Sequence, residues 1–78
     1  MKIQILGMGC PKCRALEANA VQAVEKAGLD AQVVKVADMD AITEMGVMVT
    51  PALAVDGDVK SSGKLLTVDE IIAAVKGA

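Results

Sequence analysis

The sequence predicts a single α/β domain over residues 1–78, a four-stranded mixed sheet flanked by helices in the order β-α-β-α-β-β-α. Three observations predict it. The apolar spacing switches along the chain between a period of two and a period of about 3.6 residues. An Asp-Gly pair, Asp56–Gly57, separates two apolar runs, the strongest short-range mark of a tight hairpin. Residues that start and stop helices bracket the segments of helical period.

Lys2 to Leu6 (KIQIL) alternates and carries β-branched residues, so it reads as a first strand ending at Gly7. From Pro11 to Ala27 the period changes. Leu16, Ala20, Ala23, Val24 and Ala27 recur at helical spacing, while Glu17, Gln22, Glu25 and Lys26 fall opposite them. Pro11 suits the first turn, where a missing N–H costs nothing, and Gly28 followed by Leu29 is the pattern of a left-handed cap with an apolar residue behind it. Cys10 is thereby placed at the N-cap. Ala31 to Val36 (AQVVKV) is a second apolar strand, and Asp38 caps a short helix from Met39 to Met45 that Gly46 ends. Ala52 to Val55 and Val59 to Ser61 form the hairpin around Asp56-Gly57-Asp58. Thr67-Val68-Asp69-Glu70 is a capping box, and Val68, Ile71, Ile72 and Val75 mark one face of a last helix ending at Lys76-Gly77. The first half is thus a βαβ unit, expected to be right-handed, and the second a hairpin closed by a helix.

Composition excludes several functions. A chain of 78 residues buries only about 60% of its unfolded surface, so it needs a dense core, and 54% apolar residues supply one. With no Phe, Tyr or Trp there is no platform on which bases stack, and a net charge of −2 provides no basic field for phosphates or anionic lipid. Nucleic acid and membrane are therefore not expected partners. The absence of His removes Cys-His and Ser-His nucleophile pairs and His-ligated zinc. Neither a signal-peptide core nor a membrane-length apolar run is present, which sets a cytoplasmic location as the expectation; a monomer is also expected. The pairs Asp38 with Asp40 and Asp56 with Asp58 are explained by capping and turn chemistry rather than by metal binding. Met8 reads as adaptable apolar filling, and the segment from Gly57 to Lys64 lacks the spacing of a phosphate loop.

The chemistry lies at Cys10 and Cys13, the two cysteines of the chain. Bridging them is a poor staple, since so short a loop removes only about 2 kcal/mol of unfolded-state entropy. A Cys-x-x-Cys opening a helix instead suits thiol-disulfide exchange. Unsatisfied N–H groups and the positive end of the helix dipole favour thiolate at the first cysteine, and the second lies one turn on, within disulfide reach. Cys10 is the expected nucleophile and Cys13 the more buried, resolving thiol. Pro11 and Lys12, between them, and Arg14 beyond, are placed to tune the first thiol from about 8.5 toward about 7. Lys35 is a candidate amine for removing the Cys13 proton. No cofactor beyond the dithiol is expected, and no metal.

Cys10-Pro11-Lys12-Cys13 after a strand, with Thr50-Pro51 before an Ala-Leu-Ala-Val strand and a hairpin, resembles the thioredoxin superfamily over nearly the whole chain. The resemblance is greatest to the small thioredoxin-like and glutaredoxin-like redox-active disulfide proteins of prokaryotes. It implies a thioredoxin-like fold, protein disulfides as substrates and a flavin-containing reductase as electron donor. It also implies that Pro51 is cis beside the sulfurs and that Thr50 offers backbone hydrogen bonds to substrate. An X-Pro bond is where a cis peptide costs only about 0.5 to 1 kcal/mol. The chain departs from typical thioredoxins in having Gly9 where a Trp precedes the first cysteine, and Gln4 where a buried acid stands. It lacks the Tyr and the Gly-Gly that would suggest glutathione specificity. The alternative is a Cu(I) carrier, because Gly7-Met8-Gly9-Cys10-Pro11-Lys12-Cys13 also matches the GMxCxxC motif of heavy-metal-associated domains, whose two thiolates hold a soft metal. Those domains end in a strand, whereas this chain is predicted to end in a helix.

Overall fold

The computed structural model describes residues 1–7 and 11–76, and over them the element order is the predicted one. It runs β1 (Lys2–Leu6), α1 (Pro11–Ala27), β2 (Gln32–Val36), α2 (Met39–Glu44), β3 (Ala52–Val55), β4 (Asp58–Ser62) and α3 (Val68–Lys76). The strands lie in the order β2-β1-β3-β4. β1 pairs in parallel with β2, from Lys2 opposite Gln32 to Leu6 opposite Val36, and antiparallel with β3, from Ile3 opposite Val55 to Leu6 opposite Ala52. A parallel pair needs a crossover, which α1 provides.

Side-chain alternation divides the sheet into two faces. Ile3 and Ile5 of β1, with Leu53 and Val55 of β3, pack against Leu16, Ala20 and Ala23 of α1 and Ile71 and Val75 of α3. Leu6, Ala52 and Ala54 face the other way, toward Ile42 of α2 and Val47. The central strands β1 and β3 are therefore sandwiched, as the four buried residues Ala52 to Val55 record.

The caps are those the sequence signals. Leu29 N–H donates to the Val24 carbonyl at 3.0 Å around Gly28, whose φ is 62°. Asp38 accepts from Asp40 N–H at 3.1 Å to start α2, and Gly46, at φ 82°, ends it. At α3 the capping box is complete: Glu70 N–H donates to Thr67 Oγ1 at 3.2 Å, and Thr67 N–H to Glu70 Oε1 at 3.0 Å.

Four boundaries shift, the last being the end of β4, at Ser62 rather than Ser61. β2 begins at Gln32 rather than Ala31, because pairing starts opposite Lys2. α2 stops at Glu44, with Met45 as its C-cap. Asp58 joins β4 because the turn is the two residues Asp56 and Gly57, both at positive φ (51° and 87°), the geometry that an Asp-Gly hairpin favours. One feature was not signalled by the sequence. β4 carries a bulge, Ala54 pairing with Val59 and Leu53 with Ser61, so that Lys60 is the extra residue on this edge strand.

Candidate active site

The first turn of α1 holds Cys13, and the same face continues with Leu16 and Ala20 into the core. Cys13 is 2% exposed and disulfide-bonded. Cys10 lies outside the described residues, as do Met8 and Gly9 of the GMxCxxC match.

Gly7 sets the approach of the helix to the sheet. Its N–H donates to the Val36 carbonyl at 3.0 Å, prolonging the β1–β2 ladder by one step. A Cβ on Gly7 would fall on the Cys13 sulfur and within 3.0 Å of the Cys13 Cβ. Only a residue without a side chain lets the buried sulfur lie against the backbone here. The sequence places Gly7 at the end of β1 and at the head of the GMxCxxC match, and carries no sign of its contact with Cys13.

Thr50–Pro51 is a cis peptide, with Thr50 exposed and Pro51 buried. Its position follows from the register. Leu6 pairs with Ala52, so Gly7 is one step beyond that pair on β1 and Pro51 one step before it on β3. The Cys13 sulfur, against Gly7, therefore lies at the same end of the sheet as Pro51. Met48 and Val49, exposed at 88% and 58%, lead into this segment, and Gly63 N–H donates to the Pro51 carbonyl at 2.8 Å. Gly63 is itself confined: its φ is 71°, and a Cβ there would come within 2.8 Å of Val49 Cγ1.

Of the other residues singled out, Pro11 and Lys12 are exposed at the first two positions of α1. Lys35 is exposed on the edge strand β2. Gln4, at the offset of the family's buried acid, accepts from the Gly57 N–H at 2.7 Å and so secures the hairpin turn. Asn19 was missed. Its Nδ2 donates to the Leu66 carbonyl at 2.9 Å, joining α1 to the segment before α3. The available signal was a polar residue three positions after Leu16 and four before Ala23, beside the apolar stripe. The order of the described elements, with α2 between β2 and β3 and the β3–β4 hairpin leading into α3, is the one expected from the thioredoxin resemblance.

A family model described as a thioredoxin domain matches residues 1–76. The chain belongs to the thioredoxin family. It is 48% identical over 71 residues to a thioredoxin of Methanothermobacter thermautotrophicus, covering 91% of this chain and 92% of that one. It is 46% identical over 69 residues to a thioredoxin of Methanocaldococcus jannaschii, covering 88% and 79% of the two chains. A solved structure described as that of a malarial protein superposes with a TM-score of 0.68 at 15% identity, over 97% of this chain and 93% of that one, a likeness of fold alone. Membership identifies the chain as a thiol-disulfide oxidoreductase with the family's fold. Among the described residues no helix is long and apolar enough to cross a membrane.

Proposed function

We propose that this thioredoxin-family chain reduces disulfides of protein substrates through Cys10 and Cys13. Cys10 thiolate attacks one sulfur of the substrate disulfide; that bond breaks, a mixed disulfide forms, and the other substrate sulfur leaves as a thiolate that takes up a proton. Cys13, deprotonated, then attacks the Cys10 sulfur, closing an internal disulfide and releasing the second substrate thiol. Two electrons have passed to the substrate. A flavin-containing reductase returns them, and the dithiol needs no other cofactor. Pro11 and Lys12 tune the Cys10 thiol, Thr50 and Pro51 receive the extended substrate, and the protein acts as a monomer in the cytoplasm.

The observation that carries this reading is the disulfide-bonded state of a buried Cys13 at the opening of α1, packed against Gly7 at the sheet end where Thr50–Pro51 enters β3. The nucleophile precedes Pro11, the first residue of α1, where unpaired N–H groups favour an anion.

Trapping tests the division of labour. Reduced Cys13→Ser protein mixed with oxidised insulin should accumulate a mixed disulfide through Cys10, seen by mass spectrometry, because no second thiol resolves it. Trapping only when Cys10 is replaced would reverse the two roles.

A further inference from the structure

We infer that Asn19 is a positioning residue: through the Leu66 carbonyl it braces the segment 63–66, which in turn holds the Val49–Pro51 edge in place for protein substrates. The inference rests on the proposed reaction at that edge and adds to it a residue remote from the sulfurs.

The chain of contacts is continuous. Asn19 lies on α1 six positions after Cys13, half-buried beside the apolar stripe, and its Nδ2 donates to Leu66 at 2.9 Å. The Leu66 carbonyl falls just outside the α3 ladder, which opens with Ile71 N–H donating to Thr67. The Leu66 side chain is buried in the core with Leu16, Ala20 and Ala23, so both side chain and backbone of this residue are fixed on α1. At the other end of the same segment, Gly63 N–H donates to the Pro51 carbonyl at 2.8 Å and the Gly63 backbone closes on Val49. The helix that carries Cys13 thereby holds the edge that carries Thr50, across 47 residues of sequence between Asn19 and Leu66. A part-buried polar contact with this geometry is directional, which apolar packing is not.

Asn19→Leu keeps the size and removes the donor. With insulin as substrate, KM should rise about threefold to tenfold, the loss of one positioning hydrogen bond, while kcat stays within about twofold. The rate of the reduced protein with the small probe 5,5′-dithiobis(2-nitrobenzoic acid), which needs no docking edge, should stay within about twofold of the unaltered protein. Hydrogen exchange at the Gly63 amide should accelerate in Asn19→Leu, and Asn19→Gln, which keeps an amide donor, should restore both KM and exchange. Equal losses with insulin and the small probe, or no change in KM and in Gly63 exchange, would overturn the brace. If the unaltered protein reduced neither disulfide, the proposed reaction itself would fail. If it reduced both and Asn19→Leu matched it throughout, the brace alone would fail.

Discussion

Cys13 is buried because α1 and the end of β1 leave no room between them, and Gly7 is the residue that makes the fit. The cost of a side chain there is predictable. Gly7→Ala sets a methyl group on a buried sulfur, with backbone on one side and helix on the other, so the helix must move. Overpacking of this kind should destabilise the oxidised protein by about 1–3 kcal/mol, read as a lower urea midpoint with an unchanged slope. An unaltered midpoint would mean that α1 retreats freely. At this scale the Cys-x-x-Cys pattern was legible in the sequence through residue type and short spacing, and the cis Thr50–Pro51 peptide was expected only from the family resemblance. Gly7 against Cys13, Asn19 with Leu66, and Gly63 against Val49 were not, since each joins residues from separate elements and only tertiary packing brings them together.

Among the elements, α3 has the most explicit start. Glu70 receives a hydrogen bond from Lys64 Nζ at 2.9 Å and one from Thr67 N–H at 3.0 Å. The Lys64 hydrogen bond first, then the Thr67 backbone donor, lower its pKa from 4.5 to about 2. A carboxyl more acidic in the folded than in the unfolded chain binds fewer protons when folded. It therefore adds stability above pH 4.5 that is lost as pH falls through 4.5 toward about 2. Thermal midpoints should drop over that window, and Glu70→Gln should flatten the drop while lowering the midpoint at neutral pH; an identical acid profile in the variant would remove Glu70 from the account. The exposed ion pair Lys26–Asp69, which links the end of α1 to the start of α3, is solvated and should add little. Helix limits were readable because caps are local: α1 has the predicted bounds and the α3 capping box closes as expected. The bulge at Lys60 was not readable, because it depends on how β4 meets β3.

Over the whole molecule, the order β2-β1-β3-β4 puts two strands at the centre and sets the site at the end where Gly7 leaves β1 and Pro51 enters β3. The element string implied a mixed sheet. Which strands are central follows from burial: Ala52-Leu53-Ala54-Val55 has no polar residue to turn toward water, whereas β2 and β4 keep exposed positions. Leu53, buried on β3 against the α1–α3 layer, is accordingly a sensitive point for the whole fold. Leu53→Ala should cost about 2–5 kcal/mol, a large part of what so small a domain has to lose, and chemical denaturation should show it as a greatly reduced midpoint; a loss below about 1 kcal/mol would place the core elsewhere. The central claim concerns the sulfur that precedes α1. The rate at which iodoacetamide alkylates Cys10 in the reduced protein, followed against pH and located by mass spectrometry, tests it most directly. The expected apparent pKa is about 7, typical of thioredoxin dithiols, and an ordinary thiol value of about 8.5 would contradict that claim.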